Sequence, residues 1–256
     1  MSARTSALVR RKTAVVLLRL LLVVAVLFAW WYATGPGGVS GLILPDMSSF
    51  AEAFVDVVTT PSMWGQMLVT LGEMAAAFVI AAGAGLAAGF LLSRSRVSAM
   101  AFEPMFAWGY MLPFALLYPL FLLWLGAGVE SKIFYAAAGA FFPIAFNTMR
   151  GLRTVDARFV TVGRAFRASP MQMDFFIKAG AAQPMILAGL RIGLSVVSIS
   201  VVLAELLGST MGLGHEIHAS QSRLRSADTY ALVAVLLLVT GTLQVLVERL
   251  LRPRQR

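Results

Sequence analysis

Two charged residues in one long apolar run, Arg191 and Glu205, are the first candidates for chemistry in this chain. A charge in hydrocarbon costs at least about 2.5–3.5 kcal/mol, so such residues face a protein interior or an aqueous cavity. They stand 14 positions apart, about 21 Å along a helix, and cannot pair within one helix. Either they lie near opposite membrane interfaces, or they line a path or hold a gate. Asn147 and Thr148 are polar candidates for the same path.

Other chemistry is not supported by the residues present. His215 and His218 are three positions apart in a predicted loop, whereas two zinc ligands on one helix face need a spacing of four. There is no G-x-x-x-x-G-K-[ST] loop to hold ATP phosphates, and no Ser–His or paired-Asp arrangement in the apolar runs. We therefore expect a chain that is not an enzyme and that binds no cofactor or metal itself.

The composition predicts the kind of structural element that positions these residues. Of the 256 residues, 59% are hydrophobic and 13% are charged, and the mean hydropathy is +0.82. Soluble domains carry about 25% charged residues, so the chain is predicted to be an integral membrane protein surrounded by lipid. The net charge of +9 does not indicate nucleic-acid binding, because no soluble surface is left to carry the charge.

Hydropathy predicts an all-α polytopic protein with six transmembrane helices, at about 20 apolar residues per span. The predicted spans are 13–33, Met67–Leu92, Met100–Leu125, Ile133–Met149, Pro184–Leu207 and Tyr230–Val247. A basic arm (1–12) precedes the first span and an extracytoplasmic connection (34–63) follows it. A core of five helices (64–248) contains a cytoplasmic loop (150–183), and a cytoplasmic tail (249–256) ends the chain. Gly85 and Gly89, four apart in the second span, predict close helix contact.

The positions of the basic residues predict the orientation. Lys and Arg accumulate on the cytoplasmic side of membrane proteins. With the N-terminus inside, 17 of the 21 basic residues lie in or beside cytoplasmic segments. The external loops then hold only Lys132, Arg223 and Arg225. We therefore expect six spans with both ends cytoplasmic.

The polar stretch between the fourth and fifth spans is the most informative feature of the chain. Residues 157–178, here called the basic segment, mix positive charges with apolar side chains such as Phe159 and Phe176. The pattern predicts two short helices around Ala168-Ser169-Pro170. Such a segment is either a helix lying on the membrane surface or a docking element for a soluble partner, and composition does not decide between them.

A series of motifs in fixed order separates these alternatives. The motifs are Thr70-Leu71, Pro113, Pro119-Leu120, Gly126-x-Gly128-x-Glu130-Ser131-Lys132, Phe142-Pro143-Ile144, Asn147-Thr148, Gly151-Leu152-Arg153-x-Val155-Asp156, Gly189-Leu190-Arg191, Glu205 and Gly212-Leu213-Gly214. Over about 200 residues, this order resembles the permease subunits of bacterial ABC importers. The branch that it resembles serves aliphatic sulfonates, taurine, nitrate and thiamine-precursor pyrimidines.

The resemblance implies a type I ABC importer permease fold in a bacterial inner membrane. It implies four kinds of partner: an ATPase subunit dimer that binds the ATP, a periplasmic or lipid-anchored solute-binding protein, a second permease copy or a paralogous permease, and membrane lipid. In that family the short helices of the EAA loop fit a groove on the ATPase. The corresponding residues here are Phe159, Thr161, Val162, Gly163, Arg164, Ala165, Phe166, Arg167, Ala168, Ser169 and Pro170.

The basic segment departs from the family pattern Glu-x-Ala-x-x-x-Gly-Ala-Ser at Thr161, Gly163 and Arg167, and again downstream at Ala179-Gly180, where the family has Leu-Pro. If the family glycine has positive φ, Arg167 must bear a left-handed cost of about 1–2 kcal/mol or bend differently. The departures also raise the hypothesis of pairing with a non-identical permease that keeps the standard loop.

Two other functions are compatible with the composition alone. A self-sufficient channel or secondary transporter would move solute without ATP or partner subunits. A non-transporting membrane anchor would tolerate substitutions in the spans. The resemblance disfavours both, and it points to a small organic anion such as a sulfonate, taurine or nitrate, or to a thiamine-precursor-like compound, as the substrate.

Overall fold

The computed structural model describes residues 2–250, with side chains from residue 14 onward, and over this range it contains helices and no strand. The predicted tail 249–256 therefore lies largely outside the described residues. In chain order the helices are α1 (Ser2–Thr34), α2 (Met47–Thr59), α3 (Pro61–Ser93), α4 (Arg96–Met111), a 3₁₀ turn (Phe114–Leu117), α5 (Tyr118–Leu125), α6 (Val129–Arg153), α7 (Ala157–Ala165), α8 (Pro170–Gln172), a π-helical turn (Met173–Lys178), α9 (Ala179–Gly208), α10 (Leu213–Ser222) and α11 (Ser226–Leu250).

Five helical stretches in the described residues are long and apolar enough to cross a membrane. They are Ala14–Thr34, Pro61–Ser93, Val129–Arg153, Pro170–Gly208 and Ser226–Leu250. The pair Arg96–Met111 and Phe114–Leu125, bent by 82°, makes a sixth span if it is counted as one. This agrees with the six predicted spans.

The third predicted span, Met100–Leu125, is wrong as a single helix. Leu112 adopts extended backbone angles (φ −61°, ψ 136°), because the Pro113 ring excludes the helical conformation from the residue before it. Pro113 cannot donate a backbone hydrogen bond either. The chain therefore breaks between α4 and the 3₁₀ turn, whereas Pro104 and Pro143 are accommodated inside helices.

The other predicted spans of the core are too short. The fourth, Ile133–Met149, is the middle of α6, and the fifth, Pro184–Leu207, is the later part of α9. Hydropathy detects only the apolar part of a helix, whereas α6 continues about one turn beyond both predicted ends and α9 begins five residues before its predicted start. The extension has one chemical consequence: Lys132, predicted in an external loop, lies inside α6 and is only 2% exposed.

Contacts divide the chain into two compact units. One comprises the chain up to Thr60 together with Ala219–Val235, and the other comprises Pro61–His218 together with the chain from Leu236 onward. The core of the second unit packs α3, α6 and α9 through small and β-branched residues: Ala77, Ala81, Ala136, Ala140, Val197 and Val201.

Two glycines on α3 permit the close approach of α6, as their spacing predicts. A Cβ on Gly85 would lie 2.8 Å from Ile144, and one on Gly89 would lie 2.5 Å from the Cβ of Thr148. Small residues at such positions let helix backbones pack closely, which is a main source of helix association in lipid.

The first unit is held by polar contacts from aromatic residues. Trp30 donates its indole N–H to the carbonyl of Pro45 (2.8 Å) and meets Phe50 edge-on, while the Tyr230 hydroxyl donates to the carbonyl of Ile43 (3.1 Å). Asp46 caps α2 by accepting from the amide of Ser49 (2.6 Å). That hydrogen bond lowers the pKa of the Asp46 carboxyl below its usual value.

Candidate functional site

The basic segment forms two short helices around Ala168-Ser169-Pro170, as predicted. Asp156 caps α7 by accepting from the Arg158 amide (2.9 Å). Ser169 begins the second helix with a capping box: its hydroxyl accepts from the Gln172 amide, and its own amide donates to the Gln172 side chain (2.9 Å). Pro170 follows at the first helical position, which suits its fixed φ.

Arg167 makes the turn between these helices in the left-handed conformation, with φ of 52°. The Arg167 amide donates to the Arg164 carbonyl (2.9 Å) and the Ala168 amide to the Gly163 carbonyl (3.0 Å). Helices usually end on glycine in this geometry. The expected left-handed cost at Arg167 is therefore present: this chain keeps the backbone turn and places an arginine in it.

Gly163, the second departure from the family pattern, lies where α7 meets the π-helical turn. A Cβ there would be 2.5 Å from the Ile177 side chain and 2.8 Å from the end of Met173. The long side chains of Met173 and Ile177 occupy the space that an alanine would need. The basic segment is thus packed on itself.

Two contacts attach the segment to the end of α3. Asp174 accepts from Arg94 (3.2 Å) and from Lys178 (2.8 Å), and Phe175 stacks on Phe90 with a centroid separation of 5.2 Å and an interplanar angle of 12°. On the other side, the π-helical turn continues directly into α9. The segment is therefore connected directly to two core spans, α3 and α9.

The same segment leaves large apolar side chains uncovered. Phe166 is 84% exposed and Phe176 is 78% exposed. Phe159, Val162 and Met171 are more than half exposed as well. Several exposed apolar side chains in one segment mark a surface that contacts either a protein partner or the membrane.

Asn147 and Thr148 lie in helix contacts. The Asn147 side chain donates to the carbonyl of Pro143 in its own helix (2.8 Å) and abuts Gly189 of α9. Thr148 is fully buried against Gly89, and its hydroxyl has no hydrogen-bond partner among the described residues. Arg191 is half-buried, and its Nε likewise lacks a partner in the described part of the chain. Their role in a path stays a prediction.

Glu205 is the centre of a buried polar group at the end of α9. Its carboxylate accepts from the Thr70 hydroxyl (2.8 Å) and from the Gly214 amide (2.8 Å), and the Leu213 amide in turn donates to the Thr70 hydroxyl (2.9 Å). Gly212, with φ of 103°, makes the turn before α10, and no Cβ fits there because the Glu205 carboxyl occupies the space. His215 and His218, predicted in a loop, follow this turn inside α10.

A buried ion pair lies beside this group. Lys132 of α6 pairs with Glu73 of α3, and both side chains are 2% exposed. Lys132 also donates to the Ser209 hydroxyl (2.9 Å). We refer to Thr70, Glu73, Lys132, Glu205 and residues 209–214 as the Glu205 cluster. It joins α3, α6 and α9 at the end of the bundle where α3 and α6 begin and α9 ends.

The pairing of Glu73 with Lys132 is the part that sequence reasoning missed. Glu73 was recognisable as a charge in an apolar run, but Lys132 had been placed in a loop. A usable signal existed, since an acidic residue in one span implies a basic partner in another, and the helix-initiating Gly128 lies only four residues before Lys132.

Comparison with known proteins bears on most of the core. Residues 80–256 match the family described as binding-protein-dependent transport system inner membrane component. The chain belongs to this family. It is therefore a transport permease rather than an enzyme, an inner-membrane component whose family implies ATPase and binding-protein partners.

Individual relatives cover most of the permease. The putative aliphatic sulfonates transport permease protein SsuC of Bacillus subtilis (strain 168) is 31% identical over 220 residues, which is 86% of this chain and 80% of the relative. The riboflavin transport system permease protein RibX of Chloroflexus aurantiacus is 28% identical over 225 residues, or 87% and 84% of the two chains.

The fold is also known from experiment. A chain of the MetNI methionine ABC transporter, crystallised in an inward facing conformation, matches with a TM-score of 0.64 at 19% identity and covers 77% of this permease and 100% of its own length. At this identity the likeness concerns the fold, which is that of a type I ABC importer permease.

Proposed function

We propose that this permease forms half of a dimeric translocation path and is driven through the basic segment by an ATPase that binds the ATP. The observation that carries this is the combination of exposure and attachment in one segment. Phe166 and Phe176 are uncovered, whereas Phe175 and Asp174 tie the same segment to α3. Aromatic anchors of this kind dominate protein interfaces, and a rigidly attached anchor can transmit movement.

The proposed orientation has both chain ends and the basic segment in the cytoplasm. The distribution of basic residues supports it. Because Lys132 is buried in α6, only Arg223 and Arg225 of the three residues counted outside remain in an external loop, against 17 in or beside cytoplasmic segments. The Glu205 cluster then lies at the extracytoplasmic end of the core.

We propose a small organic anion, such as a sulfonate, taurine or nitrate, as the substrate, with a thiamine-precursor-like compound as the alternative. The Bacillus subtilis relative is named for aliphatic sulfonates, while the Chloroflexus aurantiacus relative is named for riboflavin. The Nε of Arg191, which has no hydrogen-bond partner among the described residues, would suit a passing anion. Screening ligands on the co-purified solute-binding protein tests this choice.

The remaining assembly follows from the same proposal. A periplasmic or lipid-anchored binding protein delivers the solute, and the second half of the path is another copy or a paralogous permease. Purifying the complex in mild detergent and identifying its permease species distinguishes these two arrangements. In this proposal the permease itself binds no cofactor, and the ATP is bound by the ATPase.

The coupling role is tested at Phe166 and Ala168. Replacing either with Asp places a charge on the proposed apolar contact, so we expect at least a 10-fold loss of ATP-driven uptake in vesicles with the membrane level of the permease unchanged. Leu224→Asp is the matched control, because Leu224 is 70% exposed, lies outside the basic segment and has a positive φ that Asp tolerates. Normal uptake and ATP hydrolysis in Phe166→Asp would refute the docking role.

A further inference from the structure

The Glu205 cluster contains more negative than positive charge. Glu73, Glu205 and Lys132 are each no more than 2% exposed, so water does not stabilise the excess. The other groups around the two carboxyls are Thr70 of α3, Tyr118 of α5 and Ser131 of α6, with Glu216 further out, bonded to Gln66. Among these described neighbours Lys132 is the only cation.

Burying one uncompensated carboxylate in this setting is strongly unfavourable. A site with two carboxylates and a single ammonium becomes neutral when it holds one proton. The charges alone therefore call for one proton in the closed cluster.

The hydrogen bonds also indicate that the cluster holds one proton. Glu205 has donors from Thr70 and Gly214. Glu73 has the Lys132 ammonium as its ion-pair partner, and no other donor reaches its oxygens among the described residues. Glu73 lies one helical turn after Thr70 on α3, and Thr70 donates to Glu205, so the two carboxyls lie at the same face of α3 within one cluster. Ionised carboxylates only accept, so a bond between them requires a proton.

We propose that Glu73 and Glu205 together form a proton-binding site, which holds one proton between their carboxyl groups while α3, α6 and α9 are packed as in this structure. The proton neutralises the cluster and supplies a donor between the two carboxyl groups. Separation of α9 and residues 209–214 from α3 would expose both carboxyls to water and release the proton. This inference is independent of the proposed ATPase coupling, because it concerns only the permease's own side chains.

Infrared spectroscopy of the full-length permease in lipid vesicles tests the site directly. At neutral pH the exposed carboxylates are ionised, whereas the shared proton gives the C=O stretching band of a carboxylic acid, which shifts in D₂O. We expect this band in the unmodified permease and its loss in both Glu73→Gln and Glu205→Gln. Either amide can donate a hydrogen bond in place of the shared proton, so both variants should fold, and the amide I band of the same spectrum reports their helix content.

Glu216→Gln is the matched control, since Glu216 is a half-buried glutamate bonded to Gln66 (3.1 Å) but is not one of the proposed pair. Its band should equal that of the unmodified permease. Three results would overturn the proposal: no acid band in the unmodified permease, a band that persists in both pair variants, or a band lost in only one of them. The first needs no variant, so the test does not depend on a substitution being tolerated.

Discussion

The Glu205 cluster and the basic segment differ in which side chains they bury and which they expose. In the cluster, three ionisable side chains are almost fully buried and the backbone turn at Gly212 closes over them. In the basic segment, charges meet solvent and large apolar groups such as Phe166 are exposed. Both regions connect the same core spans, α3 and α9, at different ends.

The difference shows which of the two regions needs another surface to cover it. With the proposed proton bound, the buried polar groups of the cluster are neutral and paired within the chain, so the cluster fixes the relative positions of three spans. Exposed aromatic side chains on a firmly attached segment are unsatisfied until another surface covers them. We expect substitutions in the cluster to act on stability, and substitutions in the basic segment to act on assembly.

The largest contrast is expected from removing one cation in each region. Lys132→Met leaves buried carboxylates without their partner and should lower the free energy of unfolding by about 3–5 kcal/mol. Arg158→Met removes a guanidinium that is 90% exposed beside Asp156, and exposed pairs contribute about 0–1 kcal/mol. Thermal unfolding of the purified permeases in one detergent measures both. Equal unfolding midpoints would contradict the contrast.

Alanine substitutions at two glycines distinguish the effect of packing on stability from the effect of backbone strain. Gly212 and Gly126 both have positive φ (103° and 79°), but a Cβ meets Glu205 at the first and open space at the second. Alanine at either position carries a positive-φ cost of about 1–3 kcal/mol, including Gly126 with its ψ of −179°, and only Gly212→Ala adds overpacking of about 1–3 kcal/mol. We expect Gly212→Ala to be the less stable of the two in the same unfolding assay. A larger loss at Gly126 would show that the cluster is loosely packed.

Several features of both regions and of the core could be predicted from the sequence. The number of spans followed from hydropathy, because lipid imposes a length and a polarity on each helix. The Gly85 and Gly89 contacts followed from spacing. The two helices of the basic segment followed from Ser169-Pro170, since their capping is local.

The rest depended on contacts between residues distant in sequence. Lys132 was placed in a loop because a charge lowers hydropathy whether or not a partner neutralises it, and its partner Glu73 is 59 positions away. Likewise, the start of α10 is held by Thr70 and Glu205, which no local pattern around His215 reveals. The break at Pro113 was readable as a proline, but its 82° bend required the structure.

The smallest effects on stability are expected from replacing two neighbouring arginines, Arg167 and Arg164, with glycine. The two effects should have opposite signs. Arg167→Gly relieves a left-handed cost of about 1–2 kcal/mol while adding chain entropy to the unfolded state, so a net gain of up to about 1 kcal/mol is expected. Arg164→Gly removes the same charge from the last turn of α7, where glycine costs about 0.5–1 kcal/mol. Hydrogen exchange of the α7 amides reports both changes, with slower exchange expected in the first variant and faster exchange in the second. Faster exchange in both would mean that the Arg167 side chain stabilises the turn by more than its backbone strain costs.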